Sequence, residues 1–173
     1  PPHTAGLPTG FGGDFPSPGG PSAAGVGGLQ AIKYGTPGGE RIDGFAADIE
    51  LRSQGVNITP FTAAAYGASL RHEVGDNYPL IAVVPRPNAL IQTYPYEQVT
   101  AAFDAIAPMI DWLTTDPKYA VDLAFDRLAG LGKPIIPVGQ AYDAFNEGGP
   151  AGVPSPAMIQ RFMEASAARG ATA

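Results

Sequence analysis

The apolar run Glu40 to Arg52 (ERIDGFAADIELR) carries Asp43, Asp48 and Glu50. Charged residues make up only 15% of the chain, and carboxylates on a buried strand are costly unless they are used. Asp48 and Glu50 are two residues apart, so on a strand they point to the same side. Two neighbouring carboxyls oppose each other's ionisation. One can then keep its proton near neutral pH and give it to a leaving oxygen, while the other stays charged. That division of labour suits the breaking of a glycosidic bond. The alternative is a solvated strand end. Asp111, in the apolar run DAIAPMIDWL, offers a further carboxylate facing Glu50, or else a cap for the turn at Thr114 and Thr115.

Other side chains could serve the same chemistry. Arg86 could orient a carboxylate or hold an anionic group, or form a surface ion pair. Gln140 could hydrogen-bond a sugar hydroxyl, or be a satisfied polar group of the fold. Trp112 and Tyr142 present flat faces on which sugar rings stack, as do Tyr94 and Tyr96, but such rings also fill cores. His3 and His72 have no metal-ligand spacing, and the chain has no cysteine, so neither a metal site nor a disulfide framework is expected. Ser53, Ser69 and Ser155 sit in no G-x-S-x-G elbow. The Gly-rich stretches do not follow a strand as a dinucleotide loop must, and no cofactor is expected.

The elements that must carry these residues follow from periodicity. Residues 41–51, YPLIAVVPRP, DAIAPMIDWL and KPIIPVGQAY read as buried strands. Between them lie helical patterns. One runs from Thr59, a candidate cap followed by Pro60, to Gly75. A second spans YPYEQVTAAF. A third is capped by Asp116 and closed by Gly130 or Gly132, and a fourth is capped by Ser155 and closed by Gly170. The final ATA reads as the start of one more strand. Upstream, residues 1–28 are rich in Gly and Pro and read as loop or linker. LQAIKYG reads as a short helix and TPGGE as a turn.

Strand and helix therefore alternate four times, the pattern of a parallel sheet. Each strand ends in a polar group. By period-two counting, Asp48 and Glu50 share a face with Ala46, Arg86 with Ala82 and Val84, Asp111 with Met109, and Gln140 and Tyr142 with Val138. One consistent face is expected to gather them. In a (β/α)8 barrel the active site lies at the C-terminal strand ends.

Net charge of −6 with no basic stripe argues against a nucleic-acid partner. No apolar run is long enough to span a membrane. The first residue is Pro and the first Met is Met109, so a processed product or a piece of a longer chain is expected.

The run Asp43-Gly44-Phe45-Ala46-Ala47-Asp48-Ile49-Glu50 resembles the D-x-x-D-x-D-x-E strand of family-eighteen chitinases, which are (β/α)8 glycosidases. The resemblance implies Glu50 as general acid and Asp48 as the carboxylate that positions the substrate. Ala46 stands where that family has its middle Asp. Met109-Ile110-Asp111-Trp112 stands where it has M-x-Y-D. Segments 42–50, 79–87, 104–112 and 132–143 also resemble, in order, the glycoside hydrolase-like barrel domains of secreted actinobacterial proteins. The implied fold is α/β, a partial (β/α)8 TIM-type barrel holding the fourth to seventh strands and the start of the eighth. It would span residues 41–173 behind an arm and short helix over 1–40. The implied function is hydrolysis of a polysaccharide by carboxylate acid catalysis, in a secreted or cell-envelope setting. The alternative is a non-catalytic carbohydrate-binding or envelope-scaffold domain with a degenerate site. Four strands leave two sheet edges, so further protein is expected to cover them.

Overall fold

Strand and helix alternate as the apolar periodicity dictates. The computed structural model describes residues 23–49, 58–87 and 93–172. Helix α1 spans Ala23–Lys33, strand β1 Phe45–Asp48, α2 Pro60–Val74, β2 Leu80–Pro85 and α3 Tyr96–Thr100. Then come β3, Ala105–Ile110, α4, Pro117–Leu128, β4, Val138–Gly139 and α5, Pro156–Ala168. The strands form one sheet in the order β1-β2-β3-β4, every neighbouring pair parallel. The sheet is curled and open, a half-barrel in outline.

Register fixes which residues share a side. Ala47 pairs with Ala82, and Ala82 with Ile106. These, with Ile49, Val84 and Ile110, are buried under the helices together with Leu70, Val99, Phe103, Val121, Phe125 and Leu128. Each large apolar side chain fully buried there contributes roughly 1.5–3 kcal/mol. The helices are built for that side. On α2 the buried residues are Ala63, Tyr66, Gly67 and Leu70; on α4 they are Pro117, Ala120, Val121, Ala124, Phe125 and Leu128. Both sets follow the three-four spacing of one helical face. The opposite side of the sheet carries Ala46, Asp48, Ile81, Val83, Met109 and Val138, all partly or largely open to solvent.

This register corrects one reading from the sequence. Ala46 and Ala82 lie on opposite sides of the sheet, so period-two counting from Ala82 puts Arg86 on the buried side. Arg86 stands beyond the last residue of β2, where strand alternation no longer governs direction.

The start signals for the helices operate as expected. The Thr59 hydroxyl accepts from the Thr62 amide at 3.1 Å, and Thr62 returns a bond to the Thr59 amide at 2.9 Å. Asp116 accepts from the Lys118 and Tyr119 amides, and Ser155 from that of Met158. Each cap is followed by Pro at the first helical position.

Three segments differ from expectation. α1 begins at Ala23, inside the Gly-rich stretch read as linker. Packing of its Gly28–Ile32 end against α2 overrides low helix propensity: a Cβ at Gly28 would sit 3.3 Å from both Leu70 and Tyr66. The rest of the expected arm, residues 1–22, lies outside the described residues. The fourth strand is cut to Val138–Gly139 because Pro134 and Pro137 cannot donate to a ladder. A single bridge, Ile106 with Ile135, precedes it. The final ATA forms no strand over its described residues, although the Thr172 amide donates to the Ile135 carbonyl at 3.2 Å.

A polar clip closes the N-terminal end of the sheet. Arg71 donates to the carbonyls of Ala102 (3.1 Å), Gly75 (2.9 Å) and Tyr78 (2.9 Å), and pairs with Asp104 at 2.8 Å. Asp104 also accepts from the Leu80 amide at 2.8 Å. Lys133 donates to the Phe103 carbonyl at 2.6 Å.

Candidate functional site

At the other end of the sheet the strands deliver side chains of a different kind. β3 ends at Ile110, and Asp111 continues its open side, half-buried. The next two residues turn sharply. Leu113 has a positive φ of 49°, a conformation that a non-glycine residue adopts only when its surroundings hold it there. Here Gln140 holds it: the Gln140 Oε1 accepts from the Leu113 amide at 3.0 Å. Trp112 continues the buried side after Ile110; it is 1% exposed and its ring lies tilted, 5.5 Å from that of Phe162. Its indole N–H finds no acceptor among the described residues. Phe162 in turn lies across Gly139, where an added Cβ would meet its ring at 2.7 Å. Trp112 is therefore a core residue and offers no surface for a sugar, which corrects the stacking role expected of it. Gln140 is buried too and serves the loop rather than a ligand.

Asp111, Arg86 and Tyr142 are brought together. Burial raises the Asp111 carboxyl above the ordinary aspartate range, and the charge of Glu147 raises it further; Tyr142 and Arg86 pull it back. Burial lowers the Arg86 guanidinium, against the attraction of Asp111 and Tyr119. The Tyr142 hydroxyl donates to Glu147 Oε2 at 2.7 Å. Burial, Glu147 and Asp111 together raise that phenol well above neutral, so it keeps its proton. Tyr142 remains 39% exposed, accessible to a ligand.

Asp48 stands apart. Register sets it in a row with Val83 and, through β2, with Ala107. Asp111 lies four residues further along β3, about 13 Å at ~3.3 Å per residue. The two carboxyls share the open side but do not touch. Partial burial raises the Asp48 carboxyl, although much of the residue faces solvent. Glu50, the expected acid, lies outside the described residues.

Two tyrosines fix the strand ends behind this group. The Tyr94 hydroxyl donates to the Ile49 carbonyl at 2.6 Å and that of Tyr96 to the Pro85 carbonyl at 2.9 Å. Glu147 is the functional candidate that sequence reasoning missed. It sits in a short 3-10 turn, Phe145–Glu147, with no motif around it. Its spacing of five from Tyr142 was the one available signal. Among the described residues no three His, Asp or Glu side chains are grouped to hold a metal ion, and no helix is long and apolar enough to cross a membrane. Compared with known proteins, the chain matches no family model, no curated protein and no solved structure.

Proposed function

We propose that the chain is a glycoside hydrolase-like domain that cleaves a polysaccharide by carboxylate acid catalysis. In this reading the four strands are the fourth to seventh of a (β/α)8 barrel. Glu50 is the general acid, Asp48 its supporting carboxylate, and Asp111 the second carboxylate of the site. Arg86 and Tyr142 contact the substrate. The observation that carries the reading is the group Asp111, Arg86 and Tyr142 at the C-terminal ends of an all-parallel sheet, where such sheets place their active sites. A carboxyl held above its ordinary range at that position suits proton transfer.

The test is glycan hydrolysis by the intact parent protein, with and without Glu50→Gln. This change keeps the shape and removes the proton donor, and a rate loss of ~10²–10⁴-fold is expected. Equal rates in an active preparation would remove Glu50 from the mechanism. A polysaccharide substrate implies a secreted or cell-envelope location, which fractionation of cells making the parent protein would check.

One observation favours the non-catalytic reading: Trp112 and Gln140, two residues expected to meet the sugar, are taken up by the fold. Glycan binding without turnover by the parent protein would decide for it.

The reading also has further protein completing the sheet beyond β1 and β4, since bare edges and a half-exposed apolar face promote association. The 173-residue chain alone should run as aggregates in sizing chromatography. A monodisperse monomer that melts cooperatively would contradict this.

A further inference from the structure

Tyr142 and Glu147 meet in the segment that follows β4. The Tyr142 hydroxyl donates to Glu147 Oε2 at 2.7 Å, and the phenol is open enough for a ligand to reach it. The turn that carries the pair does not depend on that bond. Ala144 is fully buried beneath it. The Ala144 carbonyl accepts from the Glu147 amide at 2.9 Å and the Gly149 amide at 3.0 Å. Asp143 Oδ1 accepts from the Phe145 amide at 3.0 Å. The pair therefore sits on a support that other bonds already close. It also stands at the C-terminal end of the sheet, just after Gln140, which fastens the turn that follows β3. A hydroxyl and a carboxylate within hydrogen-bond reach on a fixed support are the two parts of an activated nucleophile.

We propose that Tyr142 is the nucleophile of the site and Glu147 the base that takes its proton. The inference rests on the glycosidase reading for its substrate and adds a covalent intermediate to that reading.

In the first step the Tyr142 oxygen bonds to the anomeric carbon as the glycosidic C–O bond breaks. The phenol proton passes to Glu147, and the leaving oxygen takes a proton from the acid of the site. In the second step water attacks the same carbon and the bond to Tyr142 breaks. The hydroxyl of that water stays on the sugar, its proton restores the acid, and Glu147 returns its proton to Tyr142. Two displacements at one carbon retain the anomeric configuration. A phenol suits this role. Burial, Glu147 and Asp111 keep it protonated, so it adds no negative charge to a site that already holds two carboxyls. Removal of the proton as the new bond forms then releases a strong nucleophile.

The experiment is labelling of the intact parent protein with benzenesulfonyl fluoride, read by peptide mass spectrometry, which needs no glycan. The tyrosine oxygen bonds to sulfur, fluoride leaves and the phenol proton goes to the base. Tyr34 and Tyr119 are 64% and 60% exposed, against 39% for Tyr142, so exposure alone would label them first. A base within reach is worth ~10²–10⁴-fold, and Tyr142 should label at least about tenfold faster than either. Glu147→Gln should bring it down to their rate. Tyr142 labelling no faster than Tyr34 and Tyr119, or unmoved by Glu147→Gln in protein of native circular dichroism, would overturn the inference. A parent protein that hydrolyses glycan should release the sugar with its anomeric configuration retained, and Tyr142→Phe should cost it ~10²-fold or more in rate. An inverted product, or full activity in that variant, would also overturn the inference. Selective labelling of Tyr142 without hydrolysis of any glycan would count against the glycosidase reading alone.

Discussion

At the N-terminal end of the sheet Arg71 reaches three carbonyls and one carboxylate, and that carboxylate, Asp104, also takes the Leu80 amide. At the C-terminal end Asp111 and Arg86 act on one another's charge without forming a direct ion pair. The contrast shows in their ionisation. Burial would raise Asp104, but the Leu80 amide, Arg71 and Lys133 outweigh it and hold the carboxyl below its usual range. Asp111 is raised instead. One end uses its charges to fasten loops; the other keeps charge at a cost to the fold. In parallel barrels the first kind of end serves stability and the second serves chemistry.

The largest effect expected is on the floor beneath the open end. Trp112→Ala should destabilise the protein by about 3–5 kcal/mol, the usual cost of emptying a buried aromatic site, read by denaturant unfolding. A loss under 1 kcal/mol would show that Trp112 is not the core residue described. Next comes the closed end. Arg71→Ala removes charged donors from four acceptors and should cost about 2–3 kcal/mol, with no change in the Asp111 titration. If that titration moves, the two ends are not independent.

The pH dependence should separate the ends more finely. Asp104 has a lowered folded pKa, so its contribution is present above the unfolded value and is lost as pH falls through the folded one. Its side chain is 52% exposed, so solvent screening keeps that contribution small. Asp111 has a raised folded pKa. Its contribution is present below the unfolded value and is lost as pH rises through the folded one. Acid should therefore weaken the Arg71 end and relieve the Asp111 end. Thermal melts of Asp104→Asn and Asp111→Asn across the acid range should show opposite slopes relative to wild type; parallel slopes would erase the distinction.

Much of the fold was legible because apolar runs, caps and prolines are local signals. Thr59-Pro60, Asp116-Pro117 and Ser155-Pro156 mark helix starts by chemistry that acts within one turn. The shortening of β4 was also written in the sequence, at Pro134 and Pro137, but the apolar run masked it. The site was legible only by strand. Asp111 could be placed on the open side by counting; Tyr142 lies past the end of β4, where counting does not reach. Trp112 follows the same count, on the buried side with Ile110, so the stacking role expected of it came from residue type and ignored strand phase. Arg86 failed the count because it lies past the end of β2. Glu147 depended on the short turn Phe145–Glu147 bringing it back to Tyr142, for which its spacing of five was the one sign.

The central claim is that the open end is built for chemistry rather than for stability. Asp111→Asn tests it most directly when unfolding free energy and glycan hydrolysis by the parent protein are measured on the same preparation at neutral pH. The account predicts stability equal to or above wild type, because burial and the charge of Glu147 oppose a negative charge at position 111 and asparagine carries none, together with a loss of hydrolysis on the order of 10²-fold or more. A protein that melts lower than wild type and hydrolyses glycan at the same rate would contradict it.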